Sequence, residues 1–450
     1  MQQHIYNYFL FVICLSASFL FFQCSKETNT TEESNFPLEI DAILTLGGTK
    51  NESAQAVVPT LDGGYAVLGH TQSIDGDVLD KADESYDYWL LKFNATAELE
   101  WEKSYGGSAD DRGTDIIQTN DGGYALIGKS KSANGDVSEN AGYDDFWICK
   151  LDENGSFLWE KSYGFAGSDV PNAILQTNDQ GYLLIGVLDV SASNGQGNRL
   201  AAVDKRHAGG DYWVIKLNAN GHKEWSNYYG GTFTDTAHAA IQTEDNGYIV
   251  VGSSDSSDVD ISNNKGSYDF WAIKISETGA LIWEKSYGGD QLDEAQAISK
   301  TEDGNFIIVG DTRSSNLDVS QNSGAADLWV VKINPDGLLM WEKTLGGLSF
   351  DAARSVSITQ DHGFLISGSS RSSNGDITDN KGQNDALILK LTTDGNLEWQ
   401  KTIGGSEVDF FYDAVELSDK TILAVGDTGS SNEDILENKG FTDLLILKTK

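Results

Sequence analysis

A unit of about 58 residues repeats seven times along this chain and accounts for nearly everything after residue 45. Six of the units are marked by the hexapeptide Trp-Glu-Lys-Ser-Tyr-Gly or a variant of it. These hexapeptides begin at Trp101, Trp159, Trp225, Trp283, Trp341 and Trp399. Their spacing is 58 residues except for the step from Trp159 to Trp225, which is 66, so the third unit contains an eight-residue insertion. A repeat of this period leaves no segment for a separate domain and predicts an array of similar supersecondary units.

Each unit contains four short runs of β-forming residues, called strands a to d below. In the second unit they lie near 115–119, 124–128, 145–151 and 157–163. An Asp-Gly hairpin signal joins strands a and b, and a second short turn joins strands c and d. Four-stranded antiparallel units that repeat radially are typical of a β-propeller. We therefore predict an all-β fold, a seven-bladed β-propeller.

The two ends of the repeat region predict how the ring closes. The last unit ends with strand c at 444–448 and lacks strand d, whereas residues 38–46 resemble a strand d without its tryptophan. We therefore predict that 38–46 pairs with the last strand c and completes blade seven, so that the propeller occupies 38–450. Closure removes the free sheet edges that promote aggregation.

The segment from strand c to strand d carries a longer pattern. It reads Asp-x-Trp-x-x-Lys-Leu-x-x-x-Gly-x-x-x-Trp-x-Lys-x-x-Gly-Gly and is followed later by Asp-Gly-Gly-Tyr. This pattern resembles the bacterial seven-bladed β-propeller repeat family (SBBP-like) over essentially all of 46–450. The resemblance implies a fold and an extracytoplasmic setting but no defined activity. The pattern is also similar to the tryptophan-docking motif of the quinoprotein propellers, whose quinone site uses adjacent cysteines that this chain lacks, so no cofactor is expected.

The N-terminal region predicts an anchor. Residues 1–23 form an apolar leader, and Cys24 and a polar stretch follow it directly. This arrangement resembles a bacterial lipoprotein signal, which implies a signal peptide over 1–23, a lipidated Cys24 and a polar tether over 24–37. The alternative is an uncleaved N-terminal membrane anchor. Both interpretations place the repeats outside the cytoplasm, at the cell envelope, and the first predicts an outer-membrane lipoprotein.

Charge and cysteine content narrow the classes of partner. The chain has 69 acidic and 31 basic residues and a net charge of −38. This balance repels the phosphates of nucleic acids and argues against a nucleic-acid partner. Cys149 lies alone on a predicted strand, without the spacing of a zinc site, and is expected to be a small buried residue.

Residues that recur in every unit are expected to be architectural, because a binding site needs to be built only once. All 11 tryptophans fall at two repeat positions, on strands c and d, and are expected to pack between blades. An Asp opens strand c and a Lys closes it in all seven units. We expect the Asp to accept loop amides and the Lys to extend along a blade edge.

A third set of recurring acids, in the connection from strand d to the next strand a, is the first candidate site. The set consists of Glu52, Asp111, Asp169, Asp235, Asp293, Asp351 and Asp409. If these side chains face the channel, they form a ring that attracts a cation. The alternative is that each caps its own loop through hydrogen bonds.

The connections from strand b to strand c and from strand d to strand a share one face, called the long-loop face. The b–c loops repeat an Asp/Asn/Gly pattern, as in 318–324. This pattern faintly resembles a calcium loop, and Asx turns within the loop are the alternative.

The b–c loop of the third unit departs from the pattern and carries basic residues. They are Arg199, Lys205, Arg206 and His207, and Arg313 and Arg371 of units five and six are candidates to extend the patch. Such a patch could bind a carboxylate, sulfate or phosphate, and an exposed loop that balances charge is the alternative.

These features favour a monomeric cell-surface lipoprotein that uses its long-loop face as a non-catalytic binding scaffold for a glycan or a protein. The alternative is an extracytoplasmic enzyme that acts on polysaccharides through carboxylates at the channel mouth. No catalytic residue can be assigned, because the sequence shows neither an asymmetric acid–base pair nor a Ser/His/Asp set. A purely structural envelope protein is a third possibility.

Overall fold

The structure is a computed structural model that describes residues 37–197 and 207–450. This part of the chain contains 28 strands in seven four-stranded antiparallel sheets and one short helix. The sheets form the blades of a ring. The predicted all-β, seven-bladed β-propeller is therefore confirmed.

Blades one to three follow strand β1 (Ile40–Leu46) along the chain. Blade one contains β2 (Glu52–Pro59), β3 (Tyr65–Thr71), β4 (Asp87–Phe93) and β5 (Leu99–Tyr105). Blade two contains β6 (Asp111–Gln118), β7 (Tyr124–Ser130), β8 (Asp145–Leu151) and β9 (Phe157–Tyr163). Blade three contains β10 (Val170–Gln176), β11 (Tyr182–Asp189), helix α1 (Val190–Ser193), β12 (Gly210–Leu217) and β13 (Lys223–Tyr229).

Blades four to six have the same four-stranded plan. Blade four contains β14 (Asp235–Gln242), β15 (Tyr248–Ser254), β16 (Asp269–Ile275) and β17 (Leu281–Tyr287). Blade five contains β18 (Asp293–Lys300), β19 (Phe306–Thr312), β20 (Asp327–Ile333) and β21 (Leu339–Leu345). Blade six contains β22 (Asp351–Ile358), β23 (Phe364–Ser370), β24 (Asp385–Leu391) and β25 (Leu397–Ile403).

Blade seven joins the two ends of the described chain. It contains β26 (Asp409–Glu416), β27 (Ile422–Thr428) and β28 (Asp443–Thr449), with β1 as its fourth strand. Strand β1 runs antiparallel to β28, with Leu44 opposite Ile446. Leu44 and Leu46 also pack against the core of blade one. The predicted closure of the ring by the N-terminal strand is thus confirmed.

The core lies between neighbouring blades, because each sheet buries both of its faces against the next. Strand c is buried along nearly its whole length, and its tryptophans have at most 1% of their surface exposed. Trp271, for example, packs on Tyr212 of blade three with ring centroids 4.5 Å apart, and the Tyr212 hydroxyl donates to the Trp271 carbonyl.

The recurring hexapeptide on strand d acts as a clamp on the next blade. The ring of Trp283 in blade four packs on Gly337 in the c–d turn of blade five, and the Tyr287 hydroxyl donates to the Gly337 carbonyl at 2.7 Å. Glu284, between them in sequence, accepts a hydrogen bond from the Trp271 indole of its own blade at 3.3 Å. One motif therefore fixes both the blade and its neighbour.

The lysine that closes strand c is buried and ion-paired rather than extended along a blade edge. Lys332 is 2.8 Å from Asp303 in the a–b turn of its own blade. In blade four, the hydrogen bond from Lys274, together with one from Thr243, lowers the pKa of Asp245 to about 2. These pairs tie the short turns to the blades. Within the described residues, the single helix, α1, is far too short to span a membrane.

Two glycine substitutions test the clamp. Gly337 and Gly304 both have positive φ, at 74° and 77°, so alanine is strained at each. A Cβ on Gly337 would lie 2.9 Å from Lys285 and 3.1 Å from the Trp283 ring, whereas a Cβ on Gly304 would meet nothing within 4 Å. We expect Gly304→Ala to cost about 1 kcal/mol of folding stability and Gly337→Ala about 1 to 3 kcal/mol more.

Urea unfolding of the two variants beside the wild-type protein measures this difference. Equal costs would show that the contact between the tryptophan and the turn is loose and that the clamp contributes little.

Candidate functional site

The seven acids predicted as a channel-mouth ring are buried in their own loops, with at most 1% of their surface exposed. Each accepts a hydrogen bond, at 2.7–2.9 Å, from the backbone amide four residues earlier in the chain. Asp293 also accepts from the hydroxyls of Thr312 and Ser314. These are the contacts of loop caps, so the carboxylates do not form a ring of free ligands in the channel.

A second carboxylate lies beside each cap, from the Asp that opens strand c. A Cβ on Gly288 would lie 2.6 Å from an oxygen of Asp269 and 2.7 Å from an oxygen of Asp293, so only glycine fits between them. Burial, together with the nearby Asp293, raises the pKa of Asp269 to about 6 although its loop amide bond opposes the shift. In five blades, the second oxygen of the strand c Asp has no hydrogen-bond partner within the described residues. These are Asp145, Asp211, Asp269, Asp327 and Asp385.

The oxygens that suggested a calcium loop are used by the loop itself. Asp318 accepts from the Gly288 amide at 3.2 Å, and Asn316 accepts from the Asp290 amide at 3.1 Å. The side chain of Asn322 accepts from Gly324 at 2.9 Å in an Asx turn. Across residues 37–197 and 207–450, no group of three or more His, Cys, Asp or Glu side chains is placed to hold a metal ion.

The predicted anion-binding insert lies only partly within the structure. Arg199, Lys205 and Arg206 are outside the described residues. The His207 ring is buried, is hydrogen-bonded to Asp211 and packs edge-on against Tyr228 at 5.0 Å. Asp211 is the residue that opens strand c, and in other blades this Asp accepts a loop amide. His207 therefore supplies a bond that stabilises the altered loop of blade three.

The channel is lined instead by residues that the sequence patterns did not single out. Every strand a carries a β-bulge at the same position, and a bulge can redirect a side chain. The bulged residues are Gln55, Thr114, Asn172, His238, Gln296, Arg354 and Tyr412. All are polar and partly exposed. They lie three residues after each capping acid, at a position where the units differ while their neighbours recur, and that variation is the signal by which they could have been found.

Electrostatic interactions between non-adjacent blades show that this region faces the channel. His238 of blade four has its pKa lowered to about 4 by burial and by Arg354 of blade six. Burial raises the pKa of Asp115 in blade two to about 7, and Asp413 of blade seven contributes. Residues of blades that do not touch can interact in this way only across the channel.

A cavity of about 350 Å³ opens at the channel mouth on the long-loop face, between blades seven, one and two. This volume is within the usual range of small-ligand sites. Its lining is largely polar. The lining side chains include Ser53, Gln55, His70, Tyr86, Arg112, Tyr412 and Asp427.

The surroundings of the polar side chains in the cavity determine their contacts and their protonation states. The Arg112 guanidinium lies 3.8 Å from the centre of the Tyr86 ring, and His70 packs edge-on against that ring. Burial, followed by Arg112, lowers the pKa of His70 to about 3, so His70 is neutral at physiological pH. Its Nδ1 is buried and has no partner among the described residues. Burial raises the pKa of Asp427 to about 6, although Ser53 and Tyr412 hydrogen-bond to it.

The fold and site together define a class, a seven-bladed β-propeller with a polar, asymmetric channel mouth. A comparison with known protein families finds no match. The regulatory protein FlaEY of Caulobacter vibrioides is 23% identical over 260 residues, which cover 54% of this chain and 27% of that protein. The chain therefore matches about a quarter of that relative's length.

Two solved structures have a partly similar course of the chain. Sqt1 from Chaetomium thermophilum is 10% identical with a TM-score of 0.47, over 91% of this chain and 99% of that one. YCF48 bound to D1 peptide is 10% identical with a TM-score of 0.43, over 92% and 98% of the two chains. These similarities concern the fold alone.

The buried carboxyls predict how stability depends on pH. Several have pKa values raised to about 6 or 7, namely Asp87, Asp169, Asp235, Asp269, Asp327 and Asp385. Their usual value is 3.8, so the folded state binds more protons than the unfolded state between about pH 4 and pH 7, and stability falls as pH rises through that window. We expect a melting temperature higher at pH 5 than at pH 8 by on the order of 5 °C.

Circular dichroism during heating measures this difference. Asp269→Asn keeps an oxygen for the loop amide but removes one titrating group. It should therefore reduce the difference in melting temperature between pH 5 and pH 8. A melting temperature that is equal or higher at pH 8 would contradict the assigned protonation states.

Proposed function

We propose that this protein is a non-catalytic binding protein of the cell envelope that takes a glycan at the channel mouth of its long-loop face. The observation that supports this best is the contrast between repeated and variable positions. Residues that recur in all blades hold the ring together, whereas the seven bulge residues are polar, partly exposed and largely different from one another.

The chemistry of the cavity suits sugar hydroxyls, each of which both donates and accepts hydrogen bonds. Arg112 and Gln55 supply donors, Asp427 supplies an acceptor, and Tyr412 supplies a hydroxyl. These groups differ on every side of the cavity. A ligand with several hydroxyls in fixed directions is the kind that such an arrangement distinguishes.

The enzyme alternative requires the seven acids of the d–a connections as catalytic carboxylates. Each of these acids instead bonds to loop amides in a buried cap. A general acid or base must reach the substrate within hydrogen-bond distance, and a buried cap does not do so. We therefore assign binding rather than turnover to this site.

Retardation of the full chain in gels that contain a panel of polysaccharides tests glycan binding. We expect retardation by at least one polysaccharide, and about tenfold weaker binding for His70→Ala, because His70 packs against the Tyr86 ring over which the donor Arg112 lies. His222→Ala is the matched control, since His222 is exposed in a short c–d turn on the opposite face.

Two outcomes would count against the proposal. Retardation by none of the glycans would overturn it and direct the search to a protein partner. Release of sugar fragments during incubation would instead favour the enzyme.

The location at the envelope rests on the leader, Cys24 and the tether, which lie outside the described residues. We propose that Cys24 carries a lipid that anchors the propeller in the outer membrane. Labelling of expressing cells with radioactive palmitate should mark the wild-type chain, and Cys24→Ser should lose the label and leave the membrane fraction. Cys149→Ser is the control, because Cys149 is buried in blade two. A label that persists in Cys24→Ser would contradict the lipid anchor.

A further inference from the structure

The arginines of this chain are distributed unlike its lysines. The strand c lysines pair with acids of the a–b turns, as in Lys332 with Asp303. All four described arginines lie around the channel mouth instead. They are Arg112, Arg313, Arg354 and Arg371. For three of them, Arg313, Arg354 and Arg371, no carboxylate oxygen within the described residues comes within the 4.0 Å of an ion pair.

Arg313, Arg354 and Arg371 lie on blades five and six, in one part of the channel mouth. Together with Phe350 they form what we call the basic quadrant. The guanidinium groups of Arg313 and Arg371 each lie 5.7 Å from the centre of the Phe350 ring. The Arg371 amide also donates to the Phe350 carbonyl at 2.9 Å. Phe350 thereby holds two exposed arginines in place, and stacked guanidiniums keep their hydrogen-bond donors free at the edge.

Arg354 adds the third cation from inside the channel. It is the bulge residue of blade six, and its Nε is buried without a hydrogen-bond partner among residues 37–197 and 207–450. Burial, followed by Glu294, raises the pKa of Asp311 to about 7 although Arg354 and Arg313 oppose the shift. Asp311, one of the carboxyls near the arginines, is therefore partly protonated at neutral pH.

The basic quadrant is continuous with the polar cavity. Arg354 and Tyr412 are the bulge residues of neighbouring blades, and Tyr412 lines the cavity and bonds to Asp427. A ligand that fills the cavity therefore has its next group at the arginines. Planar guanidinium donors match a carboxylate in a two-point hydrogen bond, which a hydroxyl cannot reproduce.

We infer that the basic quadrant binds the carboxylate of an acidic sugar, so that the ligand of the channel mouth is an oligosaccharide with an isolated uronate. This inference rests on the proposed glycan binding and names its substrate class. The isolated position of the acid follows from charge, since the acidic surface repels a polyanion but repels a single carboxylate much less. Because two guanidinium groups lie within 5.7 Å of the Phe350 ring centre, we assign the ring to positioning them rather than to stacking on the sugar.

A matched pair of ligands tests the inference on the full chain. The ligands are a xylo-oligosaccharide with a single glucuronate branch and the same compound with that carboxylate reduced to an alcohol. We expect isothermal titration calorimetry to show about tenfold tighter binding of the acidic form. This preference should shrink when salt is raised from low to high concentration, because ions screen the exposed arginines.

Substitutions of the arginines test which residues cause the preference for the acidic form. Arg354→Gln and Arg371→Gln should each reduce the preference for the acidic form towards one while the neutral form binds as before. Arg371 is exposed, so its variant serves if Arg354→Gln folds poorly. Lys343→Gln makes the same charge change at an exposed position on strand d of blade five and should leave the preference unchanged.

The outcomes separate this inference from the proposed function. Equal binding of both ligands would overturn the acidic sugar and leave glycan binding in place, as would an unchanged preference in both arginine variants. Binding of neither ligand would overturn the acidic sugar, and retardation by none of the polysaccharides of the panel would overturn both proposals. Binding instead of a peptide with a free C-terminal carboxylate, lost in Arg354→Gln, would assign the quadrant to a protein partner.

Discussion

The structure depends on the contact between strand d of one blade and the c–d turn of the next. The Trp and Tyr of the recurring hexapeptide hold a turn glycine between ring and hydroxyl, as Tyr105 does with Gly155 at 2.7 Å and Tyr229 with Gly279 at 2.6 Å. Each blade thus contacts mainly its two neighbours, so the stability of the ring is close to a sum of junctions. In such an array the final junction matters most, because strand β1 converts an open row of sheets into a closed ring.

The residues at the channel mouth can differ between units because other, recurring residues hold the blades together. The capping acids, the strand c aspartates and the clamp residues satisfy the loops and fill the gaps between blades. The bulged residue of strand a stands outside the regular strand pairing. Where it bonds to the next blade, as Asn172 does to the Ala237 carbonyl, the partner is a backbone group that any sequence provides. A change from His238 to Arg354 between two blades therefore alters the site without altering the fold, and the asymmetry needed for recognition arises on a symmetric frame.

The fold was predictable from the sequence because self-similarity can be counted. The period, the number of blades and the closing strand all follow from the spacing of Trp101 and its counterparts. The orientation of single side chains was not predictable in the same way. A carboxylate four residues after a glycine pair fits a cap or a channel ring equally well, and the choice depends on hydroxyls such as Ser314, 21 residues later in the chain.

The bulges were missed for a related reason. A bulge interrupts the alternation of inward and outward residues, so the pattern of period two that identifies a strand misassigns the residue that matters. His207 illustrates the same difficulty. Its neighbours in sequence predicted an anion site, whereas its bond to Asp211 is set by the strand it precedes.

The two faces of the ring differ in whether their positive side chains are paired with carboxylates. On the face of the short turns, lysines are neutralised by acids such as Asp303 and Asp245, so these charges hold turns and leave little net attraction for a ligand. On the long-loop face, Arg313, Arg354 and Arg371 have no ion-pair partner in the described chain, while the capping acids nearby are buried. Fields from exposed, unpaired charges extend about one Debye length into solution, whereas paired charges largely cancel. With a net charge of −38 over the chain, the proposed site therefore suits a ligand whose negative charge is small and local better than a polyanion.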